Sequence, residues 1–181
     1  MIYLISDTHF NHKNIIQYEG RPFKSTEEMN DALIENWNAV VKPEDTVIHL
    51  GDVGLGHESD LKRIIPSLNG HKILIRGNHD TKSKNFYLEA GFDEVRPSFI
   101  EEFDGVKIFF SHRPESRPGN QHDTYDMHFY GHVHSKDFNG TYPTIARNGA
   151  CLCVERWDYM PVELHKVIEL CKNSEISASS I

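Results

Sequence analysis

Short apolar runs alternate with one long amphipathic stretch along this chain. IYLIS (2–6) is apolar and partly β-branched and predicts a buried strand. From Ser25 to Val41 the period changes. Met29, Leu33, Trp37, Val40 and Val41 fall on one helical face, Ser25 and Glu28 form a capping box, and Pro43 follows as a stop. TVIHL (46–50) and HKILIR (71–76) predict two more buried strands. A short helix is expected over roughly 59–68, interrupted by Pro66, and another at NFYLEA (85–90) with Gly91 past its end. EVRPSFIEEF and VKIFFS flank Asp104-Gly105 and predict a hairpin. HFY (128–130) predicts a strand, and TIARNG, LCVE and PVELHKV predict short β segments. The polar, serine-rich KNSEISASSI (172–181) predicts a loose tail. The order β–α–β–α–β–α, then mostly β, predicts a single α/β (α+β) domain over 1–171 with a partly parallel sheet buried on both faces.

Composition narrows the function. The 181 residues suit one domain with a real core. The formal net charge is −8 and no basic stripe is visible, which argues against stable binding of duplex nucleic acid. A small phosphorylated substrate, nucleotides included, stays open because a local cationic site can sit on an acidic surface. No apolar stretch approaches the ~20 residues of a membrane span. MIYLISDTHF has neither a basic n-region nor a small-residue cleavage site, so the cytoplasm is the expected compartment. Cys151, Cys153 and Cys171 lack CxxC spacing and are expected to be buried, unreactive thiols.

Five predicted strands run into chemistry. IYLIS leads to Asp7 and His9, VIHL to Asp52, KILIR to Asn78, His79 and Asp80, KIFF to His112, and HFY to His132 and His134. In open α/β sheets the ligand crevice lies outside the carboxyl ends of strands, so the five ends can converge. Carboxylates, imidazoles and one amide without thiolate suit two divalent transition metals, manganese, iron, nickel or zinc, and the mixed set singles out none of them; manganese is the first expectation. Two-metal hydrolytic sites hold their ions roughly 3.5–4 Å apart, a spacing that a carboxylate can bridge. Gly51 and Gly77 precede Asp52 and Asn78, where a bulkier residue could obstruct a sharp turn.

DTH, GD, GNHD, a separate SH and GHVH, in that order from Asp7 to His134, resemble the calcineurin-like metallophosphoesterase superfamily. HFNHKNII and GRPF resemble its small bacterial and phage members. The resemblance implies a two-sheet β-sandwich flanked by helices with two metals at the sheet ends. It implies that Asp7, His9 and His134 bind one ion, that Asn78, His112 and His132 bind the other, and that Asp52 bridges them. It further implies in-line attack on phosphorus by a bridging hydroxide, with His79 aiding the leaving group and Asp80 orienting His79. One departure is GDVGLG, where Leu55 stands at a position that is acidic in many relatives.

Arg113, Arg21 and Arg117 are candidates for gripping a substrate phosphate, Arg113 foremost because it adjoins His112. His12 lies close enough to DTH to approach substrate, and His49, inside a strand, is expected to be structural. The small chain without a capping insert favours phosphodiesters. The alternatives are a phosphomonoesterase, a nucleotide pyrophosphatase, and a catalytically idle scaffold on the same fold.

Overall fold

A computed structural model describes residues 1–120, 122–136 and 140–174. Two five-stranded sheets form the centre. The first contains β1 (Ile2–Ile5), β2 (Thr46–His49), β3 (His71–Ile75), β4 (Glu94–Arg96) and β10 (Val162–Glu163), in the order β10-β1-β2-β3-β4. β1 to β4 are parallel, and β10 is an antiparallel edge. The second sheet has β5 (Ser98–Phe103), β6 (Val106–Ser111), β7 (Met127–Tyr130), β9 (Gly149–Cys151) and β8 (Ile145–Ala146) in that spatial order. Its three central strands, β6, β7 and β9, are parallel.

Burial follows from the residue pattern. Leu4, Ile48, Leu50 and Ile75 of the first sheet face Ile108, Phe110, Phe129 and Ala150 of the second across a common core. Tyr3, Ile5, Val47 and Leu74 point the other way. There they meet α2 (Thr26–Val40) through Met29, Leu33 and Trp37, α3 (Glu58–Ile64) through Leu61 and Ile64, and α4 (Lys84–Ala90) through Phe86, Tyr87 and Ala90. The first sheet is therefore buried on both faces, which is why its strands are nearly continuous apolar runs.

Local signals act largely as expected. Ser25 caps α2 by accepting from Glu28 N–H at 3.2 Å. The Glu28 carboxylate reaches back to Lys24 N–H rather than to Ser25, so the box is shifted by one residue. Pro66 sits in a 3-10 turn (Ile65–Ser67) that ends α3. Gly91, with φ +114°, closes α4. Asp104 and Gly105 both have positive φ, as a two-residue hairpin turn between twisted strands requires.

Five points depart from expectation, the first being LCVE (152–155), which is no strand but a single bridge at Cys153 followed by a 3-10 turn (Val154–Arg156). EVRPSFIEEF is not one strand: β4 ends the first sheet and β5 opens the second, with Pro97, which has no N–H to donate, at the switch. PVELHKV contributes only β10, after which α5 (Leu164–Asn173) packs Leu164, Val167, Ile168 and Cys171 into the inter-sheet core. The tail expected from 172 loses Lys172 and Asn173 to that helix, and 175–181 lie outside the described residues. A six-residue helix without a predicted stripe, α1 (Lys13–Tyr18), follows β1. Among the described residues no helix is long and apolar enough to cross a membrane.

Candidate active site

Parallel strands aim their carboxyl ends the same way, and both sheets do so at one edge of the sandwich. A bridge between Ser6 and Cys153, with Val154 N–H donating to Ser6 O at 3.1 Å, ties the sheets together there. The loops leaving β1, β2, β3, β6 and β7 carry Asp7, His9, Asp52, Asn78, His79, His112, His132 and His134 to this edge. β9 supplies a sixth loop, carrying Cys153 and Glu155.

The backbone at these loops is unusual. Asp7, His9, Asp52, His132 and His134 all have left-handed φ, between +50° and +72°. Asp and His tolerate this region better than most residues, and such conformations cluster at functional sites. The turns are held from behind. Asp7 N–H donates to Gly51 O at 2.9 Å, and His9 N–H to Asp52 O at 3.1 Å. Buried His49 bonds Thr8 Oγ1 at 3.0 Å and accepts from Gly51 N–H at 3.1 Å, and burial pushes its pKa down to about 3. It is a neutral brace.

Two clusters of ligand-type atoms result: Asp7, His9 and His134, and Asp52, His112 and His132, each set within 4.8 Å. In the first, Asp7 Oδ1 lies 3.7 Å from His9 Nε2 and 3.5 Å from His134 Nε2. Asp7 Oδ2 is taken up by Ser6 Oγ at 2.5 Å, His132 N–H at 2.9 Å and Cys153 Sγ at 3.3 Å. In the second, His112 Nε2 lies 3.4 Å from Asp52 Oδ2 and 3.0 Å from Asn78 Oδ1. Its Nδ1 is 2.8 Å from Leu50 O, a geometry in which Nδ1 carries the proton and Nε2 is left for the cluster. Asp52 Oδ2 is also 3.6 Å from His9 Nε2, so one oxygen faces both clusters, while Oδ1 accepts from His79 N–H at 2.7 Å.

The electrostatics follow from crowding buried acids and imidazoles. Burial opposes the charge on Asp7 and Asp52, but the surrounding histidines outweigh it and hold both carboxyls below their ordinary range. Burial likewise opposes protonation of His112; its bond to Asp52 and the two carboxylate charges overcome that and lift its pKa to about 9. The donor set fits cations. Asp7 Oδ1 and His9 Nε2 are buried atoms without a hydrogen-bond partner, facing each other too far apart to bond, and such atoms are rare unless something else satisfies them.

The remaining candidates divide. His79 is exposed at the mouth, its ring 5.3 Å from that of His9. Arg113 donates to Asn78 Oδ1 at 3.2 Å and approaches His132 Nε2 at 3.1 Å, beside the second cluster. His12 is half-buried, its Nδ1 3.2 Å from His9 Nδ1; burial, then the neighbouring positive charges, lowers its pKa to about 4. Asp80 lies beneath the loops: its carboxylate accepts from Asp52 and Gly77 N–H at 2.8 Å each and from Val53 N–H at 3.0 Å, so it braces backbone rather than the His79 ring. Arg21 is buried, donating to Asp7 O at 2.7 Å, Thr8 O at 2.8 Å and Glu155 Oε1 at 2.6 Å, which removes it from the substrate face. Arg117 donates to the carbonyls of Glu115 and Ser116 and shapes its own turn.

Two participants carry no motif. Glu155 accepts from Arg21 and lies 3.0 Å from His134 Nδ1. Cys153, a buried free thiol, accepts from His134 N–H at 3.2 Å besides touching Asp7.

A sequence model of the calcineurin-like phosphoesterase superfamily domain matches residues 1–154, and the chain belongs to that superfamily. Its two sheets flanked by helices are the fold of that group, and its two clusters suit a superfamily that uses divalent metal ions. An uncharacterized protein of Methanocaldococcus jannaschii is 38% identical over 179 residues, 97% of this chain and 93% of that one. The crystal structure of a protein of unknown function from Aquifex aeolicus is 30% identical, covers 94% of this chain and 98% of its own, and superposes with a TM-score of 0.71.

Proposed function

We propose that the protein is a dinuclear metal-dependent phosphodiesterase. The observation that carries this reading is the position of Asp52 Oδ2, 3.6 Å from His9 Nε2 and 3.4 Å from His112 Nε2. A carboxylate oxygen shared between two ligand clusters suits a bridge between two cations. Asp7, His9 and His134 would hold one ion, Asn78, His112 and His132 the other, and Asp52 both. Bound there, the ions supply activation of water for in-line attack and neutralisation of phosphate charge.

The chain's own residues do the rest. Arg113 can pair with a phosphate oxygen, because its fork already points at Asn78 and His132 beside the second cluster. His79 faces the opening and can hand a proton from its ring to the departing oxygen. Its backbone N–H fixes Asp52, which ties the position of the acid to the bridge. The Asp80 carboxylate keeps the 51–53 and 77–80 loops in register, so both act from one rigid floor. Small diesters, nucleotides among them, are the proposed substrates, and manganese is the first ion to supply.

Hydrolysis of bis-p-nitrophenyl phosphate by the manganese-loaded protein tests this. His79→Ala should lower kcat by about 10²–10⁴-fold on a diester with a poor, alkoxide leaving group and far less on the bis ester, whose p-nitrophenolate departs without a proton, while both ions stay bound. The bis ester should be cleaved faster than the mono ester; the reverse order would make the protein a monoesterase. No hydrolysis of either ester with manganese, nickel or zinc would leave the fold as a scaffold.

A further inference from the structure

We infer that Tyr18, with His12 beneath it, forms an aromatic subsite for the planar group of the substrate, a nucleobase or aryl ring, at the mouth beside His79. The inference rests on the phosphodiesterase reading and adds what the substrate carries beyond its phosphate.

Tyr18 ends α1 and is 65% exposed. An exposed tyrosine alone means little. The position of this one is what counts. The rings of His9, His12 and Tyr18 step outward from the first cluster: His9 to His12 is 5.2 Å between centroids, and His12 to Tyr18 is 6.4 Å, edge to face at 83°. His79 flanks the row, 5.3 Å from His9 and 6.1 Å from His12. A phosphate held between the clusters with its leaving oxygen toward His79 has His12, 6.1 Å from His79, and then Tyr18 along one way out for the attached group. Those side chains offer π-faces and no fixed charge, which suits a flat, weakly polar ring, an aryl group or a base carried on its sugar, better than a second phosphate.

The platform is also preorganised, although α1 is short and makes no side-chain cap bond. Glu19, directly after the helix, accepts from Ser135 Oγ at 2.6 Å and pairs with Lys136 at 3.3 Å. Arg21 anchors the next turn to Glu155 and to the backbone of Asp7 and Thr8. The segment presenting Tyr18 is thereby fastened to both the 132–136 loop and the 7–9 loop, so little ordering remains for a ligand to pay for.

Binding of phenylphosphonate and methylphosphonate to the manganese-loaded full chain, measured by titration calorimetry, separates the anion site from the ring site. The phenyl compound should bind more tightly by on the order of tenfold, the scale of one base–aromatic stack. Tyr18→Ala should bring the ratio close to one by weakening the phenyl compound, with manganese stoichiometry still two, and Tyr18→Phe should keep the preference. A phenyl preference that survives in Tyr18→Ala overturns the subsite and leaves the phosphodiesterase reading intact. Absence of binding by either phosphonate, with both ions present, overturns the phosphate site and the subsite with it.

Discussion

His134 Nδ1 lies 3.0 Å from Glu155 Oε1, and the other nitrogen of the same ring lies 3.5 Å from Asp7 Oδ1. A carboxylate behind an imidazole fixes its tautomer and orientation and raises its basicity toward a cation. Burial opposes the charge on Glu155, but His134 and Arg21 outweigh it and keep the carboxyl below its ordinary pKa. Replacing Glu155 by Gln preserves shape and removes the charge. Manganese affinity at the first cluster should fall by about 10–100-fold while the second is spared. Calorimetric titration would show one of two binding events weakened; two unaltered events would refute the role assigned to Glu155.

Arg21 acts one layer further back. Its guanidinium is 0% exposed and joins Glu155 to the carbonyls of Asp7 and Thr8. Removing one partner of a buried pair leaves the other uncompensated, at a cost of about 3–5 kcal/mol. Arg21→Ala should lower the urea midpoint accordingly. If Arg21 instead gripped substrate, Arg21→Ala would raise KM with the midpoint unmoved.

How far the sequence reveals this site depends on the distance over which each residue acts. The residues of the two clusters stand one to four positions beyond apolar runs, so strand ends and ligands can be read together. Glu155 and Arg21 are 134 positions apart, and nothing local to either betrays the contact. Arg21 in isolation reads as a phosphate grip; only its burial among the Asp7 and Thr8 carbonyls, Met29 and Glu155 assigns it to the foundation. Asp80, next to His79, reads as its orienting partner, yet its oxygens go to three backbone N–H groups. Leu164, Val167, Ile168 and Cys171 do carry helical spacing, but a window centred on PVELHKV cuts that stripe short and leaves an apparent strand. α1 buries only Ile15, so periodicity has nothing to detect.

Gly51 is a position where a methyl group has no room. With φ +99° the residue sits in a region that side chains avoid, and a Cβ would come within 2.6 Å of His112 Nδ1 and 2.7 Å of Gly77 N. The neighbour on one side is rigid backbone and on the other the ring nitrogen bonded to Leu50 O. Gly51→Ala should therefore displace His112, weakening manganese at the second cluster and destabilising the fold by about 1–3 kcal/mol. Gly105→Ala, at φ +74° with nothing within 4 Å, serves as the control: strain alone, without loss of metal. Equal manganese loss in both variants would separate the metal site from the packing of Gly51.

Acid should weaken the fold through a histidine away from the clusters. His128 on β7 is buried against Phe109, Tyr125 and Tyr130, with Nε2 2.7 Å from Ser111 Oγ. Burial, then the positive charge of Arg117, lowers its pKa to about 4, with Glu115 opposing. In the unfolded chain the same group titrates near ~6.5. Between those values the unfolded state binds the proton that the native state refuses, so stability rises with pH across the window and is lost as pH falls through it. The His128 contribution to that loss from pH 7.5 to 4.5 is on the order of 2 kcal/mol, at about 1.4 kcal/mol per pKa unit. His128→Gln keeps a polar partner for Ser111 and cannot titrate. Compared in urea with metal chelated throughout, it should lose less stability than wild type over that pH interval by about this amount, because His12, His49 and the other titrating groups are common to both proteins and cancel in the difference. Parallel losses in the two proteins would place the acid sensitivity elsewhere.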